Sequence, residues 1–159
     1  MEFRPLIRKN KELPREECLE LLRNEKRGVL SVLGDGGYPY GTPMDHFFND
    51  EDGKLYFHCG RIGHRLDALR ANDKVSFCCM DGGTPIPGSW ALQVRSVITF
   101  GRMEIIDERE RVYDIAARLS RKFTDDEDYI AQEIERSGRG TLLLAMTIEH
   151  ICGKIVTES

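Results

Sequence analysis

"YFHCGRIGHRLDALRANDKVSF", residues 56–77, decides how the rest of the chain is read. A strand-like apolar run ends at Cys59. A loop with Gly60 and Gly63 follows, then His64 and Arg65 open a short helix-like segment ahead of a second apolar run. Backbone N–H groups at a helix start have no partners inside the helix, and the helix dipole adds partial positive charge there. Glycines allow close approach, and the fork of Arg65 suits phosphate oxygens. On these residues alone an anion site and a bare turn with a solvated arginine both stand.

Working outward, "GVLSVLGDGGYPYGTPMDHFF" (28–48) reads as two strands joined by the turn Gly34-Asp35-Gly36-Gly37. Proline cannot donate to a ladder, so Pro39 and Pro43 place the second strand at an edge or a bulge. "NDEDG" (49–53) is a second hairpin turn. In "KVSFCCM" (74–80) Val75, Phe77 and Cys79 alternate against Ser76 and Cys78. "DGGTPIPGS" (81–89) has the composition of a loop, and "WALQVRSVITFGRMEII" (90–106) is a long strand whose Gly101 predicts a bend or bulge. A last strand is expected in "GTLLLAMTIEHICGKIV" (140–156).

Helices are expected at 14–25, at 108–121 with Val112, Ile115, Ala116 and Leu119 on one face, and at 125–136. About six strands linked mostly by hairpins, with helices at the margins, predict one mainly-β domain over 1–159, a small antiparallel barrel. No GxGxxG and no P-loop occurs in the sequence.

Bulk composition narrows the function. The net charge of −4 gives no footprint for nucleic acid or an anionic membrane, and no run approaches the roughly 20 apolar residues of a membrane span. Five cysteines, with no apolar leader in "MEFRPLIRKNKELPREE", predict reduced thiols and a cytoplasmic protein. Four histidines (His46, His58, His64, His150) raise the question of metal, but none has a partner at ligand spacing on a helix and no CxxC occurs. Asp45-His46 and His58-Cys59 are neighbours on strands and so point to opposite faces. No metal is expected. Vicinal Cys78-Cys79 places one thiol toward the core, where it acts as a small hydrophobe.

The run 28–79, with "RSVITFGRMEIID" (95–107) and "IEHICGK" (148–154), resembles the FMN-binding split-barrel proteins of the pyridoxamine 5′-phosphate oxidase-like superfamily, nearest the 5-nitroimidazole reductase branch. The resemblance covers about residues 4–155. It implies a six-stranded antiparallel split β-barrel, and a homodimer with FMN in a groove between the subunits. It also implies that Pro43, Met44, Asp45, His46 and Phe47 run along the flavin ring, with His58 and Cys59 near the ribityl-phosphate. Gly63, His64 and Arg65 match the phosphate-binding turn, and Arg95 and Ser96 match positions facing the flavin.

The implied activity is reduction of a small acceptor such as a nitroaromatic, with NAD(P)H or another donor. His46 and His58 are the candidate proton sources, since imidazole titrates near neutral pH. The chain departs from vitamin B6 oxidases: it ends in "GKIVTES" without their arginine-bearing segment, and His64 stands where they usually carry arginine. A non-catalytic flavin- or haem-binding protein is the alternative, because the residues beside the flavin are not demanded by chemistry.

Overall fold

The computed structural model describes residues 2–158. Helix α1 (Arg15–Asn24) precedes the first hairpin, β1 (Arg27–Leu33) and β2 (Pro39–Asp45). Next come β3 (Phe47–Asn49), β4 (Lys54–Gly60), α2 (His64–Ala71) and β5 (Lys74–Met80). The chain continues through β6 (Thr84–Pro85), the long β7 (Leu92–Ile106), α3 (Arg109–Ser120) and α4 (Glu127–Ser137), and ends in β8 (Thr141–Glu158). Among the described residues six strands are long; β3 and β6 are short additions of three and two residues.

The sheet is antiparallel throughout, in the order β2-β1-β5-β7-β8-β4-β3, with β6 beside β7. Strands β2 and β3 end that order on opposite sides, yet only His46 separates them in the chain. One residue cannot span a flat sheet of seven strands, so the sheet must curl until its edges meet there. This curled, incompletely closed sheet is the split barrel. As the prolines require, β2 lies at an edge.

Inside the curl sit Leu30, Phe57, Phe77, Val97, Leu144 and Met146, all almost fully buried. Helix α1 adds Cys18, Leu21 and Leu22 to this core, and α2 adds Leu66, Ala68 and Leu69. Both are amphipathic covers that hide one stripe. A second, smaller core lies on the other face of the sheet, where Val112 and Ile115 of α3 cover Tyr56, Ile106, Leu143 and Ala145.

Strand β7 keeps register with β8 except between Phe100 and Gly101, where the pairing shifts. A Cβ on Gly101 would come within 2.1 Å of the Thr147 carbonyl oxygen, so only glycine lets the two backbones close at this bulge. The stretch 81–89 is not wholly loop, since Thr84–Pro85 pairs with Leu92–Gln93.

Candidate functional site

At the head of α2, Gly63 adopts φ 133°, a conformation that side-chain-bearing residues rarely take, and no side chain caps the helix. The N–H groups of Leu66 and Asp67 donate to the Gly63 carbonyl, 2.9 and 3.1 Å away. The N–H groups of His64 and Arg65 come before the first possible intrahelical bond and are open to a ligand. The Arg65 guanidinium folds back over the sheet: Nη1 donates to Thr42 Oγ1 at 3.1 Å, while Nε is buried with no partner. A buried, unpaired charged donor is costly. An anion beside it would remove that cost.

The His64 ring stacks on Tyr40 with centroids 4.3 Å apart, and the Asp35 N–H donates to its Nε2 at 3.2 Å. The turn after β1 is thereby tied to the turn before α2. Tyr40, Cys59, Gly63, His64 and Arg65 enclose a recess of about 130 Å³. Burial pushes the Cys59 thiol up from its ordinary value, while neighbouring Arg65 works the other way. That thiol is a wall, not a nucleophile.

A second recess, about 270 Å³, is lined by Arg27, Pro43, Met44, Asp45 and His58. Asp45 accepts from Arg27 Nε at 2.6 Å. Loss of surrounding water lowers the His58 imidazole; Asp45 opposes this and Arg65 adds to it. A third cleft, about 360 Å³, shares Asp45 and His58 and opens beneath α3 and α4. The second recess and the third cleft thus join at Asp45 and His58, while the recess at Arg65 is separate from both.

Several expected site residues lie elsewhere. His46 is wholly buried at the closure of the curl, with its ring against Phe77 and a nitrogen 2.9 Å from the Leu22 carbonyl oxygen. Burial lowers its pKa to about 3, helped by the charge of Lys122 and opposed by the Leu22 hydrogen bond. Its backbone is engaged too: the N–H donates to Lys26, and its carbonyl accepts from Lys122 Nζ at 2.9 Å. A ring with no solvent exposure cannot hand a proton to the groove, so His46 leaves the set of proton donors. It is a structural histidine.

Phe47 turns to the second core, below α3. The strip along the groove therefore comprises Pro43, Met44 and Asp45, and stops where β2 breaks. Arg95 is paired with Asp81, Nε to Oδ2 at 2.9 Å, and Ser96 lies opposite Met80 and Lys154 on the outer face of the sheet. Neither lines the recesses that hold Arg65 and His58.

Sequence reasoning did not single out Thr42 and Tyr40. Strand alternation could have found them, for both share a face with buried Met44 and so point inward toward Arg65 and His64. No described cluster of three or more His, Cys, Asp or Glu side chains could hold a metal ion. No described helix is long and apolar enough to cross a membrane.

A curled, incompletely closed antiparallel sheet of this order is the split-barrel architecture, and here the turn before α2 sets open N–H groups beside the Arg65 guanidinium. Residues 14–155 match pyridoxamine 5′-phosphate oxidase, and the chain belongs to that family. Similar solved structures include a candidate 5-nitroimidazole antibiotic resistance protein from Bacteroides thetaiotaomicron (TM-score 0.76, 18% identity, 92% of this chain and 87% of that one). A conserved hypothetical protein from Mycobacterium tuberculosis aligns with TM-score 0.77 at 18% identity over 92% of this chain and 88% of its own. An FAD-binding protein from Mesorhizobium loti aligns with TM-score 0.66 at 20% identity, covering 92% and 97%. At these identities the likeness is one of fold. No curated protein matches the sequence.

Proposed function

We propose that the protein is a flavin-dependent oxidoreductase that binds FMN, with the phosphate on the turn 63–65, and reduces small acceptors such as nitroaromatics. One observation carries this reading. The Nε of Arg65 is buried without a partner beside the open N–H groups of a helix start, which is what a phosphate dianion would complete. Bound flavin would accept a hydride equivalent from a donor such as NAD(P)H and deliver two electrons to the acceptor. Taking a nitro group to a nitroso group uses two electrons and two protons and releases one water.

This chain's own residues anchor, orient and protonate. Arg65 and the turn would hold the phosphate, and Pro43, Met44 and Asp45 would form the edge facing the flavin ring. His58 is the proton source, because it alone among the histidines borders the clefts along β2 and under α3 and α4. Its lowered pKa makes the neutral ring the resting form near pH 7, so each protonation would draw on bulk acid through the groove.

The working unit is a homodimer in the cytoplasm, its cofactor at the subunit interface. The outer face of the sheet supports this: Val29, Met80 and Phe100 lie open there, in register with half-buried Cys78 and Ile98. Contiguous exposed apolar surface of this kind marks an association face. Arg95 and Ser96, remote from this chain's own groove, would serve the partner's.

The absorption spectrum of freshly purified protein tests the cofactor: flavin bands are expected, a haem Soret band or a colourless protein that refuses FMN would reject it. NAD(P)H consumption with a 5-nitroimidazole then separates a reductase from a carrier.

A further inference from the structure

The cleft under α3 and α4 is separate from the recess at the α2 turn, where a flavin phosphate would sit. Its walls are Val112, Ala116 and Leu119 of α3 and Ile130 and Ile134 of α4. At about 360 Å³ it falls at the small end of ligand clefts, which run roughly 300–1,000 Å³. Its mouth toward the groove is Asp45 and His58, shared with the adjoining recess. Among the described residues lining it, none is lysine or arginine.

Three cations near the cleft are committed to other partners, while Arg109 and Arg139 border a neighbouring recess and Lys26 lies over the Phe123 ring. Lys122 Nζ donates to the carbonyls of Glu25 and His46, at 2.6 and 2.9 Å, and pins the α3–α4 turn to the barrel. Arg121 is bound to Glu127, and Arg118 to Asp114 and Glu51. Glu133, which lines the cleft, meets Arg136, but that arginine is 74% exposed on the solvent side. Asp45 likewise pairs with Arg27, itself 73% exposed. The recess at the α2 turn and this cleft therefore differ in kind: the first presents the Arg65 guanidinium, the second mainly apolar side chains with hydroxyls and carboxylates at its edge.

We infer that this cleft is the acceptor subsite of the proposed oxidoreductase, and that it takes an uncharged aromatic ring of one or two cycles while excluding acidic or phosphorylated ones. The inference rests on the flavin reading for the word acceptor, and on the cleft alone for its ligand chemistry. A carboxylate or phosphate buried here would lose water with no lysine or arginine among the lining side chains to replace it. A neutral ring would gain the burial of its apolar faces against Ala116, Leu119, Ile130 and Ile134. His58, at the mouth, would stand between that ring and the strip 43–45.

The test uses FMN-loaded full-length protein and two probes of the same ring, 4-nitrobenzyl alcohol and 4-nitrobenzoate. The neutral probe is expected to bind at least about tenfold more tightly than the carboxylate. Ala116→Phe, or Ile134→Trp on the opposite wall, should weaken the neutral probe about tenfold by filling the cleft, while FMN affinity and melting temperature stay as they were. Glu133→Lys should narrow the preference several-fold by adding a cation. Equal binding of the two probes, or neutral-probe binding untouched by both filling variants, would overturn the inference. If the unaltered protein takes up no FMN, the flavin reading falls instead, and the probe comparison on flavin-free protein still decides the cleft's chemistry.

Discussion

Two side chains next to the groove show how burial separates roles that sequence treats alike. His46 and His58 both fall in runs that read as strands, yet the first sits enclosed at the break between β2 and β3 and the second borders the cleft. The sequence could assign them to strands and give adjacent residues opposite faces, but which face is interior depends on how the sheet curls. For His46 the consequence is a pH-dependent fold. Its imidazole is lowered to about 3 by burial, so between that value and its unfolded value near 6.5 the unfolded chain binds a proton that the native chain does not. Stability from this residue is fully present above about pH 6.5 and is lost as pH falls toward 3, on the order of 5 kcal/mol in all. Chemical denaturation at pH 7 and pH 4.5 should give a smaller difference for His46→Gln than for the unaltered protein. Equal pH slopes would show that the ring is not held neutral.

At the scale of elements, strand pairing was the most legible feature. Alternation in 74–80 put Val75, Phe77 and Cys79 inward, and Gly101 marked the place where β7 and β8 shift register. The break between β2 and β3 was not legible, because "TPMDHFF" holds no glycine or other turn signal after Pro43 and only closure of the sheet explains why His46 pairs with neither edge. The same break explains why Phe47 turned from the expected cofactor strip to the core below α3. The bulge itself is testable. Gly101→Ala would push a methyl group against the Thr147 carbonyl, and an immovable backbone contact of that kind should cost about 2–4 kcal/mol in urea unfolding. A loss below about 0.5 kcal/mol would mean the strands can separate there without penalty.

For the whole molecule, the sequence pointed to a barrel and to helices at 108–121 and 125–136, but not to the roof those helices form over the third cleft. That roof forms because α3 carries a strong apolar stripe and Lys122 fastens its end to two backbone carbonyls 76 and 97 positions away. Such long-range clamps leave no local signal. The dimer proposal belongs to this scale as well. Ile98 sits mid-row between Cys78 and Cys152 on the outer face, so Ile98→Asp would place a charge in the centre of the proposed interface. Light scattering should find a dimer for the unaltered chain and a folded monomer with weakened flavin retention for the variant. A monomer before substitution would contradict the proposed assembly.

The anchoring role of Arg65 is the claim on which the functional account turns, and an FMN titration addresses it directly. Arg65→Ala should weaken FMN by about 1.5–3 kcal/mol, roughly 10- to 100-fold in Kd, since a charge-assisted bond to phosphate is removed. Arg70→Ala, at an exposed position paired only with Asp67 on the same helix, should leave Kd within about twofold. Equal FMN binding by the unaltered protein and both variants would contradict the account.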